Sequence, residues 1–290
     1  MTIGIIPNIS KPEIVATVKQ IISQIHLSGF KTILSDSLQN YKNEFDGNSK
    51  FLSHDELGRS CEMVVSIGGD GTMLNTAYEM RHSSTPIIGV NFGKLGFLAE
   101  FDLEGFREFL NDLKTKNYII EERMTLIGDC GGKELYAIND LVIDKGPWPK
   151  MIEITIKVDD DYVSTFSADG LIIATPTGST GYSLSTGGPI VNPKADVITL
   201  SPIAPHTLTM RPVVISSSQK VTVMVNSPSE KIQVSCDGQR VDFFKSPSVI
   251  TIEKSKQSMR LVHSNRTNYF DILRNKLFWG LDVRKSNNNG

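Results

Sequence analysis

Met63-Val64-Val65-Ser66-Ile67-Gly68-Gly69-Asp70-Gly71-Thr72-Met73-Leu74-Asn75-Thr76-Ala77-Tyr78-Glu79-Met80-Arg81 is the stretch whose reading decides the fold. Residues 63–67 form an apolar run of strand length and 68–72 a glycine-rich turn. Residues 73–81 read as a helix with Met73, Leu74, Ala77 and Tyr78 able to face a core. A glycine turn between strand and helix lets a backbone or a phosphate approach without side-chain obstruction, and its amides with the helix N-terminus favour an anion. Asp70 places a carboxylate inside that turn. Such a group can take a proton from an attacking hydroxyl, help hold a divalent cation, or cap the helix.

Upstream, Ile3 to Ile6 reads as an opening strand. Glu13 to Ser28 reads as a helix with Ile14, Val15, Val18, Ile21, Ile22 and Ile25 on one stripe, closed by Gly29. Lys31 to Leu34 is a second strand, and Ser35 to Ser60 a polar loop with room for a short helix near Asp55 to Arg59. Downstream come a strand at Pro86 to Val90, the turn Asn91-Phe92-Gly93-Lys94-Leu95-Gly96-Phe97-Leu98, and a helix at Leu103 to Lys116. Unbroken apolar strands alternating with helices indicate a parallel sheet covered on both faces, with ligands beyond the carboxyl ends of its strands. Asp70 and the Asn91 to Phe97 turn both fall there.

The pattern changes near Tyr118. Short strand-like runs follow at Thr125 to Cys130, Leu135 to Asp144, Ile152 to Val158, Tyr162 to Ala168, Leu171 to Ala174, Val213 to Ser216, Val221 to Val225, Ile232 to Cys236, Val241 to Phe244 and Val249 to Lys254. Asp237-Gly238 signals a hairpin. The expected architecture is therefore an α/β N-terminal domain with a parallel sheet, residues 1–120, plus a β-rich C-terminal domain, residues 121–266. A last helix at Tyr269 to Lys276, within about 267–282, returns to the first domain, and Arg284 to Gly290 is a polar tail.

A formal net charge of −2 offers no general attraction to nucleic acid or to an anionic membrane, so phosphate binding has to come from local features. Cys61, Cys130 and Cys236 are odd in number and widely spaced, which argues against a disulfide framework and a thiolate metal site and for a reducing, cytoplasmic setting. The histidines show no metal-ligand spacing, no apolar run can cross a bilayer, and the first residues have no signal-peptide pattern. One stretch fits no strand: Thr175-Pro176-Thr177-Gly178-Ser179-Thr180-Gly181-Tyr182-Ser183-Leu184-Ser185-Thr186-Gly187-Gly188-Pro189. Its amides and short hydroxyls can wrap a polar ligand, with Tyr182 offering an aromatic face.

Taken together, Gly68-Gly69-Asp70-Gly71-Thr72, the Asn91 to Phe97 turn, Asn139-Asp140, Asp169-Gly170 and the Thr175 to Gly188 stretch resemble the NAD kinase family, in the expected order over most of the chain. Diacylglycerol and sphingosine kinases have a similar glycine loop; the Thr-Pro-Thr-Gly-Ser-Thr segment separates them. The resemblance implies an enzyme that moves the γ-phosphoryl group of ATP, with polyphosphate left open as donor, to the 2′-hydroxyl of the adenosine ribose of NAD. It implies Asp70 as proton acceptor, and Gly68, Gly69, Gly71 and Thr72 around the donor phosphates with a divalent cation, Mg or Mn. Phe97, Asn139, Asp140, Lys150, Asp169, Thr180, Gly181, Tyr182, Ser183, Leu184, Ser185, Ala204 and Gln239 match further nucleotide contacts. Homodimers or tetramers joined through the β-rich domain are also implied.

Three positions depart from the family pattern. Gly181 stands where Ala is common, Asp140 where Glu is common, and Ser167 where some members have Arg. These touch donor and acceptor preference, not reaction class. A lipid kinase would need a basic or apolar membrane-seeking surface, which the sequence does not advertise. A nucleotide sensor without catalysis would not need Asp70 beside an intact glycine loop.

Overall fold

The computed structural model describes residues 1–11, 13–91, 93 and 96–280. Phe92, Lys94 and Leu95 of the second turn, the end of the last helix past 280, and the 284–290 tail lie outside the described residues. The chain forms two compact units, one of residues 1–122 and 260–290 and one of residues 123–259.

In the first unit, the order is β1 (Thr2–Pro7), α1 (Ile14–Leu27), β2 (Lys31–Ser35), a 3₁₀ segment (Asp36–Glu44), β3 (Phe51–Leu52), α2 (His54–Ser60), β4 (Met63–Ile67), α3 (Asp70–Glu79), β5 (Ile87–Val90) and α4 (Leu103–Thr115). Every pairing is parallel: β1 takes β2 and β4 on its two sides, β2 takes β3, and β4 takes β5. Ile3, Ile5, Met63, Val65, Ile67, Ile88 and Val90, alternate residues of their strands, share one core with the α1 stripe and with Phe106, Phe109, Leu110 and Leu113 of α4. On the other face Gly4 lets α2 in close, since a Cβ there would lie 3.3 Å from the Cys61 and Leu57 side chains and 2.9 Å from Val64. The sequence reading left 35–60 as a loop with a short helix. That helix, α2, carries a full capping box between Ser53 and Glu56.

The second unit is a sandwich. Its strands begin with the latter part of β6 (Tyr118–Cys130), then β7 (Lys133–Ala137), β8 (Asp140–Asp144), β9 (Ile152–Val158), β10 (Asp161–Ala168) and β11 (Gly170–Ala174). A 3₁₀ turn (Thr177–Thr180) and the one-turn helix α5 (Tyr182–Ser185) precede β12 (Val197–Ile203), β13 (Val213–Ser216), β14 (Val221–Asn226), β15 (Lys231–Cys236), β16 (Arg240–Lys245) and β17 (Ser248–Ser264); α6 (Tyr269–Leu277) belongs to the first unit. Strands β13-β12-β11-β8-β15-β16 form one antiparallel sheet. β10, β9, β14 and β17 pair antiparallel in that order. Ile152, Ile154 and Ile156 of β9 and Val221, Val223 and Val225 of β14 share a core with Leu141, Ile143, Leu171, Ile173, Ile198 and Val234 of the six-stranded sheet.

Two sequence expectations change. Leu135 to Asp144 is not one strand but β7 and β8, separated at Ile138-Asn139. β12 was not expected at all, and it lies inside the six-stranded sheet between β11 and β13.

Candidate active site

In the first unit, candidate residues gather at the carboxyl ends of β4 and β5. α3 already begins at Asp70, so the turn proper is Gly68-Gly69, with Gly69 as N-cap and no side-chain capping bond. The Asp70 carboxylate does not cap. It reaches across to the second turn, where Oδ2 accepts from the Phe97 amide at 2.8 Å and Oδ1 from the Leu98 and Ala99 amides at 3.0 and 3.2 Å. An ionised carboxylate offers roughly four acceptor directions; donors among the described residues take three of them, leaving one on Oδ2.

Glycine is required at some of these positions and not at others. A Cβ on Gly96 would lie 1.7 Å from Asp70 Oδ1, and one on Gly68 would lie 2.3 Å from Thr72 Oγ1. A Cβ on Gly69 meets nothing within 4 Å, at an ordinary φ of −83°. Among the described residues nothing therefore demands glycine at 69, whereas a ligand in close approach to the backbone would. Thr72 Oγ1 accepts from Asn8 Nδ2 at 3.3 Å, and a buried hydroxyl pair, Ser66 and Thr76 at 2.9 Å, ties β4 to α3. Phe97 is half-buried.

In the second unit, a separate cluster gathers Asn139, Asp140 and the Thr175 to Gly188 stretch. Thr175 N donates to Asn139 O at 2.8 Å, Thr175 Oγ1 donates to Ile138 O at 2.7 Å, and a Cβ on Gly178 would lie 2.1 Å from Asn139 O. The Cα–H side of Gly181 faces the same spot, because a Cβ there would come 3.7 Å from Asp140 Oδ2 and 3.8 Å from Asn139 Nδ2. The segment is thus wound into turns and packed on Asn139-Asp140, not an extended ribbon. Asn139 Oδ1 is buried without a hydrogen-bond partner. Behind the turn, Arg123, a buried arginine, donates to Thr177 Oγ1 at 3.5 Å. Ser183 is buried against Ser201 of β12 at 2.9 Å, while Tyr182 and Ser185 are exposed.

The residue that organises this cluster is Asp237, which the sequence marks only as part of a hairpin signal. Asp237 has a fully buried side chain and a left-handed φ of +55°. Its carboxylate accepts from the amides of Ile138 (2.9 Å), Asn139 (2.6 Å) and, more weakly, Asp140 (3.4 Å), and pairs with Arg240 Nη2 at 2.5 Å. Burial pushes both acids upward. The amides and Arg240 pull Asp237 back, whereas Asp140, buried and facing the Asp237 charge, is pushed up to about 7.

The other expected contacts are placed as follows. Asp169, just before β11, pairs with Lys145 at 2.8 Å. Gln239 lies in the β15–β16 hairpin beside Asp237, and Lys150 is exposed after the β8 strand. Ala204 is exposed with a left-handed φ of +43° just past β12. Thr180 and Leu184 are half-buried in the turn and in α5. Among the described residues no group of three or more His, Cys, Asp or Glu is arranged to hold a metal.

Two family models cover the chain: the ATP-NAD kinase N-terminal domain over residues 3–118 and the ATP-NAD kinase C-terminal domain over 138–264. The chain belongs to the NAD kinase family. An NAD kinase of Chloroherpeton thalassium is 36% identical over 285 residues, covering 97% of this chain and 98% of its own length. That of Prosthecochloris aestuarii is 38% identical with the same coverage. An Archaeoglobus fulgidus NAD kinase solved in complex with ATP superposes with a TM-score of 0.77 at 28% identity, covering 96% of this chain and 99% of that one. A yeast NADH kinase solved with NADH gives 0.88 at 23% identity, covering 98% and 89%, and so speaks to the fold. Like other NAD kinases, the chain is a phosphotransferase that phosphorylates NAD to NADP with ATP.

Proposed function

We propose that Asp70 is the general base of this NAD kinase and accepts the proton of the ribose 2′-hydroxyl as that oxygen bonds to the γ-phosphorus of ATP. The observation that supports it is the fixed carboxylate at the head of α3, aimed by amides of 97–99 and left with one acceptor direction. Phosphoryl transfer asks little covalent chemistry of the protein and much positioning, so a carboxylate that cannot rotate suits the task. In this reading the first unit is the donor domain: Gly68, Gly69, Gly71 and Thr72 carry the ATP phosphates on the helix N-terminus, and Gly69 is glycine because the phosphate comes close. The second unit is the acceptor domain. Asn139 and Asp140 hold adenosine, and Thr180 to Ser185 with Asp169, Lys150, Ala204 and Gln239 hold the rest of the dinucleotide. Phe97 adds an aromatic face.

A divalent cation, Mg or Mn, fits this donor set. Such ions are held by one or two carboxylates plus substrate phosphates, which is what Asp70 can offer, with no three-ligand cluster among the described residues. Bound there, the ion would neutralise charge on the transferring phosphoryl group. Assembly as a homodimer or tetramer, and a cytoplasmic location, complete the proposal. Exposed Val213 and Val214 on one edge strand and Val241 and Phe243 on the other support the first, and the free, buried cysteines support the second. The deciding assay follows NADP formation from NAD, ATP and magnesium by wild type and Asp70→Asn. Turnover should vanish while NAD still binds, and near-normal turnover of the variant would remove Asp70 from the mechanism. Light scattering checks the assembly.

A further inference from the structure

Asp70 is aimed by the amides of 97–99, and the residue that follows them, Glu100, has a side chain only 7% exposed. Its Oε2 lies 2.7 Å from Nδ1 of His263, itself 12% exposed, and His263 Nε2 lies 3.6 Å from Glu121 Oε2. All of these residues belong to the first unit. The backbone explains why they meet. β5 has β4 on one edge; Leu261 of β17 pairs parallel with Ile87, and Phe101 bridges parallel to Val90. With the first edge taken, residues 99–101 and 261–263 run along the other. Phe101 is fixed by backbone bonds, its N donating to Gly89 O and its O accepting from Asn91 N. Glu100 is fixed by its side chain.

We propose that Glu100 and His263 are positioning residues that clamp the 97–99 segment on Asp70. A buried carboxylate must go where its partner is, because leaving it unpaired in the interior is strongly unfavourable. His263, carried by a strand of the parallel sheet and flanked by Glu100 and Glu121, supplies that partner from a rigid element. The clamp therefore transmits the rigidity of the sheet through Glu100 to the amides that orient the base. Removing it leaves Asp70 in place but lets its amide partners drift, and drift of about 1 Å in a reacting group costs up to roughly a hundredfold in rate.

This rests on the reading of Asp70 as base, so the test separates the two. In the full-length enzyme, His263→Leu removes the clamp, and His263→Asn keeps an amide donor near the place of Nδ1. We expect His263→Leu to lower kcat by about tenfold or more, with KM for NAD and ATP changed by less than about threefold and faster amide exchange in the 97–99 peptide. His263→Asn should recover most of both losses. Unchanged kcat in His263→Leu beside an inactive Asp70→Asn overturns the clamp and leaves the base. Turnover by Asp70→Asn overturns the base and with it the catalytic role of the clamp. Equal losses in the Leu and Asn variants, or unchanged exchange at 97–99, overturn the clamp on structural grounds.

Discussion

Each unit contains an aspartate that collects successive backbone amides from a segment far away in sequence. Asp70 takes those of Phe97, Leu98 and Ala99; Asp237 takes those of Ile138 and Asn139, with Asp140 more distant. The first keeps one acceptor direction open among the described residues and is half-buried at the head of a helix. The second is fully buried and spends its remaining capacity on Arg240. The same device thus serves two ends: an aspartate with spare capacity at the surface can act on a substrate, while a saturated one in the interior can only shape the backbone around it.

That contrast can be broken experimentally. The largest effects belong to the half-buried aspartate, Asp70, and its close neighbour. Asp70→Asn should lower kcat by at least about a hundredfold. Gly96→Ala, whose methyl would occupy the place of Asp70 Oδ1, should do comparable damage in the same NADP-forming assay. Asp237→Leu should leave kcat a secondary matter and instead reduce stability by about 3–5 kcal/mol in a urea titration, because it strands buried amides and a guanidinium. A loss under about 1 kcal/mol would show that the interior aspartate is dispensable.

Asp140 refines the comparison through pH. Its folded value of about 7 is raised above the ordinary carboxylate value, so the folded state favours the protonated form. Stability from this group is complete at pH below the ordinary carboxylate range and is lost progressively up to about 7. Asp140→Asn removes that loss, and its melting temperature should exceed the wild type's by a margin that grows from pH 5 to 7 and then levels, equivalent to a few kcal/mol at most. A margin independent of pH would contradict the assignment. The smallest expected effect is at Gly69. Gly69→Ala should lower the melting temperature by no more than the weaker N-cap costs and raise KM for ATP by about tenfold or less, since no described residue meets the added methyl.

The sequence is most transparent where structure is local. The α1 stripe, the turn at Gly68-Gly69, the helix after it and the apolar strands of the first unit all follow from spacing within a few residues. β12 was hidden because Thr199, Ser201 and Pro202 interrupt its apolar pattern. Both hydroxyl residues, Thr199 and Ser201, are buried, and Ser201 is satisfied by Ser183, a partner that only the fold supplies. The break between β7 and β8 was equally invisible. It exists because Asp237, almost a hundred residues away, draws the 138–139 amides out of the ladder. Asp70 could be singled out from its turn, but its contact with 97–99 could not, and neither could the role of Glu100 and His263. Each depends on which strand lies beside β5, which is a property of topology.

Gly178 against the Asn139 carbonyl, with Thr175 bonded to both Ile138 and Asn139, has a thermodynamic consequence. Those two stretches are already locked together, so a dinucleotide docking at the proposed acceptor site freezes little additional chain motion. Affinity on that side should respond to lost contacts one by one, in the dissociation rate, and hardly at all to agents that merely stiffen loops.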